Sequence, residues 1–309
     1  MRPEAGARVT VRVPATSANL GPGFDSLGLA LELRDEVVVV VGPAEVVVTG
    51  EGAGAVPLDT GHLVVRAAHR AFEALDVDPP SLSLGCTNRI PHGRGLGSSA
   101  AAVVAGLLAG RALVPGGVDR LDDDAVLALA TGMEGHPDNA AACLLGGLTV
   151  AWVDERVHAV RLEPKATLRA TVLVPATELS THTARDLLPV SVPHADAAFT
   201  AGRAALLVAA LTDASLSGAG VAPGLLLAAT EDRLHQHYRG HAMPATAALV
   251  AALRTHGHAA VVSGAGPTVL VLDDDPDASA GLDVPPEWRV LRVGIAGVGA
   301  TVETTGRGA

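Results

Sequence analysis

The run Pro91-His92-Gly93-Arg94-Gly95-Leu96-Gly97-Ser98-Ser99-Ala100-Ala101 concentrates the residue types that do chemistry. Three glycines let the backbone approach a ligand with no Cβ in the way and turn successive amides inward. Two serines then open an apolar helix expected over residues 98–112, adding hydroxyls beside the positive end of its dipole. Such a site binds phosphate without a lysine. That matters here, because the chain has one lysine, Lys165, and it lies outside the contexts required by a Walker A loop, a protein-kinase strand or a pyridoxal Schiff base. A dinucleotide fingerprint would need glycine where Ser98 stands, and a nucleophile elbow would need glycines flanking a serine, so both are excluded.

The elements that must position this run can be read from periodicity. Residues 9–13 alternate as a strand closed by Pro14, and a long turn-rich loop follows to residue 28. Residues 29–33 and 36–41 read as strands, and Gly42-Pro43-Ala44 turns the chain into residues 46–49, giving an expected Val-rich antiparallel hairpin. A helix is expected over 63–75 before Pro79-Pro80, then a short strand over 82–85 that leads into the glycine run. Helices over 122–132 and 140–145 and a strand over 148–153 complete the first half. A change of composition near Glu163-Pro164-Lys165 marks a domain boundary, giving domains of residues 1–164 and 165–309. The second half reads as mixed α+β, with a strand over 170–174, helices over 195–211 and 244–256, and strands over 259–262, 269–272 and 289–293.

Composition narrows the partners. With 33 acidic against 22 basic residues, a net charge of -11, and only two Trp, one Tyr and three Phe, the chain has neither the basic surface nor the stacking platforms of a nucleic-acid binder. The uncharged stretch 98–110 is shorter than the ~18–20 residues a membrane span needs, so no membrane partner is expected. Residues 1–10 hold no apolar signal core, and a cytoplasmic, reduced protein with Cys86 and Cys143 as core thiols is expected. The core must be built mainly of Ala, Val and Leu, which favours a polar, shaped ligand site over an aromatic-lined one. His235-x-His237 and His256-x-His258 are not read as zinc ligands, since i, i+2 pairs on a helix face apart. Asp273-Asp274-Asp275 reads as a solvated loop.

Four segments in order resemble the motifs of the GHMP kinase superfamily, in the form used by its homoserine kinase family. These are Val13-Pro14-Ala15-Thr16-Ser17-Ala18-Asn19-Leu20-Gly21-Pro22-Gly23-Phe24-Asp25-Ser26-Leu27-Gly28, the glycine run, Glu134-Gly135-His136-Pro137-Asp138-Asn139, and Ser263-Gly264-Ala265-Gly266-Pro267-Thr268. Together they cover the chain from about residue 9 to 272. The resemblance implies an α+β, two-domain GHMP kinase fold: an N-terminal domain of the ribosomal protein S5 domain 2 type and a ferredoxin-like C-terminal domain. It implies ATP and L-homoserine as small-molecule substrates and O-phospho-L-homoserine as product, on the way to threonine. Mg²⁺ is the implied metal, and a homodimer is left open.

The resemblance also implies roles for individual residues. Residues Pro91 to Ala101 would hold the nucleotide phosphates, and Ser98 or Ser99 with Glu134 would hold Mg²⁺, a hard cation that takes few protein oxygens. A zwitterionic acceptor needs carboxylates or amides for its ammonium and arginines for its carboxylate. Asn19 and Asp25 would face the ammonium and hydroxyl end, Arg185 and Arg239 the carboxylate, and His136 and Asn139 would help position the hydroxyl, with Asp138, Thr181 and Gly264 in the acceptor site. Glu134, Ser99 and Asn139 would carry catalysis. Where many relatives place asparagine near the adenine, this chain has His62. No residue is assigned as general base, although Asp25 and Asp138 are carboxylates within the motifs.

Overall fold

The computed structural model describes residues 3–212, 224–274 and 281–305. Its first half is a sheet backed on one face by helices. Strands β1 (Arg8–Ala18), β2 (Leu27–Val41) and β3 (Glu45–Gly50) are followed by helix α1 (Leu63–Ala74), strand β4 (Leu82–Asn88) and helix α2 (Ser98–Leu113). Helices α3 (Gly117–Arg120), α4 (Asp123–Glu134) and α5 (Asp138–Leu145) lead to the hairpin β5 (Leu148–Val153) and β6 (Val157–Leu162). The two strands expected at 29–33 and 36–41 are one strand. A register shift between Pro14 and Ala15 opposite it breaks the alternation where the sequence looks interrupted.

The expected hairpin of residues 36–49 does not form. β2 pairs antiparallel with β4, and β3 lies on the far side of β4, parallel to it, with Val46 opposite Leu84 and Val48 opposite Cys86. The reason is the helix between them: α1 carries the chain back across the sheet, so β3, α1 and β4 form a crossover unit, which only parallel strands accommodate. α2 is buried along most of its length, and Ala, Val and Leu side chains fill the layer between sheet and helices as expected.

The second half holds β7 (Arg169–Val174), α6 (Thr181–Asp186), α7 (His194–Leu211), α8 (Leu225–Ala229), α9 (Gln236–Arg239), α10 (Pro244–Thr255), β8 (Ala259–Val262), β9 (Val269–Asp273) and β10 (Arg289–Val293). These strands form an antiparallel sheet in the order β10-β7-β9-β8, which is the 4-1-3-2 order of a ferredoxin-like domain. Asp275, the last residue of the acidic run, lies outside the described residues. Beyond this sheet the chain returns: β11 (Thr301–Thr305) pairs antiparallel with β1 and closes the edge of the first sheet. Neither β6 nor β11 stands out in the sequence, because both are edge strands with little apolar alternation to report. No helix among the described residues is long and apolar enough to cross a membrane.

Candidate active site

Two cavities meet at the N-terminus of α2. One, about 140 Å³, is polar and lined by residues including Asn19, Asp25, Glu134, His136, Asp138, Asn139, Thr181, Arg185, Arg239 and Gly264. The other, about 290 Å³, is a mainly apolar slot whose floor is Val13, Val37 and Cys86 of the sheet and whose walls are the starts of α1 and α2. Gly93, Ser98 and Ser99 line both.

The junction is built from close backbone approaches. Gly97 has φ +70°, and a Cβ there would strike the Thr16 hydroxyl, which itself donates to Asn139 Oδ1 at 2.8 Å. Gly95, at φ +74°, lies against the backbone of Ser263 and Gly266. With glycine at its N-cap, α2 has no side chain bonded to its leading amides, which therefore keep the partial positive charge of a helix start. Ser99 Oγ donates to Glu134 Oε1 at 2.6 Å, at the C-terminal end of α4. Burial raises the Glu134 pKa above the ordinary carboxylate value, and the Ser99 hydroxyl opposes that shift.

The polar cavity is organised by the loop after β1. Asn19, Leu20 and Asp25 take positive φ (68°, 49° and 56°), backbone strain of the kind that collects at functional sites. Asn19 bridges segments far apart in sequence: its Nδ2 donates to Gly264 O at 2.8 Å and its Oδ1 accepts from the Asp25 amide at 2.9 Å. Arg185 of α6 forks onto Asp25, at 2.6 and 3.0 Å. Arg239 is 1% exposed; it donates to Ala184 O at 3.2 Å and lies over the Phe24 ring at 5.1 Å. His136 Nδ1 sits 2.7 Å from Asp138 Oδ1, which also accepts from the Asn139 amide. Burial disfavours the protonated ring of His136, but the Asp138 hydrogen bond and charge outweigh it and raise its pKa.

Most of the residues singled out in the sequence converge here. Pro91, Leu96 and Ala100 line neither cavity and are buried instead. Ala101, His62 and His92 line the slot. His62 caps α1, with Nδ1 accepting from the Val64 amide at 3.3 Å, and burial lowers its pKa, so the ring is neutral. Lys165 lines neither cavity and pairs with Asp274 at 3.6 Å. His235 is buried between Gly21 O and Arg239 and is in no metal cluster; among the described residues no group of three or more His, Cys, Asp or Glu could hold a metal.

Two participants were given no role by the sequence reading. Phe24 carries the guanidinium groups of Arg185 and Arg239 over its ring, and His235 packs on it at 5.1 Å. Asp35 lies on the slot, its Oδ1 accepting from the Arg89 and Ile90 amides at 2.6 and 2.9 Å. Its signal was available: it occupies the inward register of the series Asp35, Val37, Val39, Val41, where a carboxylate interrupts apolar alternation.

Comparison with known proteins agrees with this geometry. Residues 62–147 match the GHMP kinases N terminal domain and residues 211–283 the GHMP kinases C terminal domain. Homoserine kinase of Streptomyces coelicolor is 54% identical over 96% of this chain and 94% of its own. That of Clavibacter michiganensis is 52% identical over 98% and 96%. The crystal structure of homoserine kinase from Cytophaga hutchinsonii superposes with a TM-score of 0.79 at 26% identity, covering 96% of this chain and 97% of that one. Similarity of this extent over both domains places the chain in the homoserine kinase family of the GHMP kinases.

Proposed function

We propose that the chain transfers the γ-phosphoryl group of ATP to the side-chain hydroxyl of L-homoserine, with the nucleoside in the apolar slot and the amino acid in the polar cavity. The observation that carries this is the shared wall of the two cavities at Gly93, Ser98 and Ser99, which brings a phosphate-binding helix start to the mouth of a site lined by Asp25, Arg185 and Arg239. In-line transfer needs the two substrates held end to end and donors on the phosphoryl oxygens. The glycine-run amides and the α2 N-terminus supply those donors. Asp25 takes the ammonium, the two arginines orient the carboxylate, and His136, held by Asp138, stands with Asn139 beside the hydroxyl.

The pair Ser99 Oγ and Glu134 Oε1 fits a hard divalent cation, being all-oxygen and limited to two side chains. Bound there with ATP, Mg²⁺ would neutralise charge on the β and γ oxygens. Ser98 lies at the same helix start and is the second hydroxyl available to it. A coupled assay with ATP and a panel of alcohols tests the reading: turnover with L-homoserine is expected, and turnover with mevalonate or galactose in its absence overturns it.

A further inference from the structure

Arg94 sits in the middle of the phosphate-binding run, yet its guanidinium is committed elsewhere. Nε donates to Pro175 O at 3.0 Å, Nη2 to Ala176 O at 2.9 Å, and Nη1 to His92 O at 2.9 Å and Glu178 Oε1 at 3.2 Å. Every nitrogen of the fork therefore has an acceptor, and three of the four acceptors are main-chain carbonyls. The neighbouring Gly93 O accepts from the Leu179 amide at 3.0 Å. A side chain reaching for phosphate would leave an edge of the fork open toward the nucleotide; this one fills a socket made by another part of the chain.

The socket belongs to residues 175–180, which join β7 to α6 and form no helix or strand of their own. The connector ends at Ser180, whose hydroxyl caps α6 by accepting from the Thr183 amide at 3.1 Å. α6 in turn carries Thr181 and Arg185 into the polar cavity. A six-residue helix has little stability of its own, so its place is set by what holds its ends. At its start, those holds are Arg94 and Gly93.

We propose that Arg94 is a positioning residue for the phosphate acceptor: by clamping the 175–180 connector it sets α6, and with it Arg185, against Asp25 and the acceptor carboxylate. The proposal rests on the reading of the polar cavity as the homoserine site. Its signature is inverted with respect to sequence position, since a residue inside the nucleotide motif controls the apparent affinity for the other substrate.

Steady-state kinetics of Arg94→Ala separate the two roles. The homoserine KM is expected to rise on the order of tenfold or more, as for other misplacements of a binding group, with the ATP KM within about twofold of the parent. A rise in ATP KM with homoserine KM unchanged makes Arg94 a phosphate ligand and overturns the proposal, as does no change in either. Arg94→Lys is not expected to rescue, because one ammonium cannot serve three separated carbonyls; full rescue would mean that charge alone matters. Glu178→Gln removes only the exposed ion pair and is expected to change the homoserine KM less than about twofold. Combined with Arg185→Ala, Arg94→Ala should add little to the KM, and full additivity counts against the proposal. Hydrogen exchange without substrates supplies a readout that does not depend on activity: peptides covering residues 175–186 should exchange faster in folded Arg94→Ala, and unchanged protection there refutes the clamp. If the parent protein turns over no homoserine, the functional reading fails while the exchange result still judges the clamp.

Discussion

Arg185 and Asp25, 160 residues apart, hold each other in a two-pronged ion pair, Nη2 to Oδ1 at 2.6 Å and Nη1 to Oδ2 at 3.0 Å. The group suited to a substrate carboxylate and the group suited to its ammonium thus satisfy one another across the polar cavity. A zwitterion entering between them exchanges one ion pair for two of the same kind, so charge balance in the cavity is kept throughout. Asp25→Asn and Arg185→Ala should each raise the homoserine KM by about tenfold or more, the scale of a lost charged hydrogen bond. In the double variant the increases should fall well short of multiplying, and a full product in kinetic measurements would show that the pair acts as two separate contacts.

Glu134 faces Ser99 at the junction and touches neither end of the acceptor in this reading. Glu134→Gln keeps the shape and the hydrogen bond but removes the charge. Turnover should drop about 100-fold or more while homoserine binding, followed by calorimetry, stays near that of the parent. Unchanged turnover would remove Glu134 from the metal site.

Gly97 answers two requirements at once, a left-handed backbone and no side chain facing Thr16. Gly97→Ala should destabilise the fold by about 1–3 kcal/mol and displace Thr16 from Asn139. Thermal melts and the ATP KM together check this, and a melting temperature equal to the parent's would contradict the packing.

His235 is neutral for a geometric reason. Gly21 O can only accept, so Nε2 must carry the proton in that 2.8 Å contact, leaving Nδ1 to accept from Arg239. Burial, opposed by Asp232, lowers its pKa. Unfolded, the ring takes up a proton near its ordinary value of about 6.5, so below that pH the unfolded state binds more protons than the folded one. The stability contribution is therefore present above about pH 6.5 and is lost as pH falls below it, by at most about 1.4 kcal/mol per pH unit. Denaturation midpoints should fall on acidification, and His235→Gln should flatten part of that slope; an identical slope in the variant would exclude His235 as its source.

Cys86 lies on the slot floor and Cys143 in the core, and burial pushes the Cys86 thiol up to about 12 and the Cys143 thiol higher still. At about pH 8 almost no thiolate is present on either. Neither should react with a disulfide reagent until the protein unfolds, and rapid labelling of the native protein, read by mass spectrometry, would contradict that burial.

Much of the candidate site was legible in the sequence because its chemistry is local. A glycine-rich turn that opens a helix presents free backbone amides suited to an anion, so the proposed role of residues 93–99 can be read within seven positions. The helix over 63–74 announces itself by periodicity for the same reason, since an α-helix is stabilised by neighbours three and four residues away, and that over 98–113 by its unbroken apolar run after the glycine turn. The single lysine, with its net charge of -11, excluded several ways of gripping phosphate before any fold was known.

What only the tertiary structure decided are relations between distant segments. Strand pairing is one: nothing between residues 42 and 44 states that β3 will run parallel to β4 instead of turning back on β2, because that choice depends on where α1 lands. The return of β11 to β1, the fork of Arg185 on Asp25 and the seating of Arg94 on the carbonyls of Pro175 and Ala176 are others. The last three each depend on a partner at least 81 residues away, and hydrogen-bond geometry over that separation is set by tertiary packing and not by any local pattern of residue types.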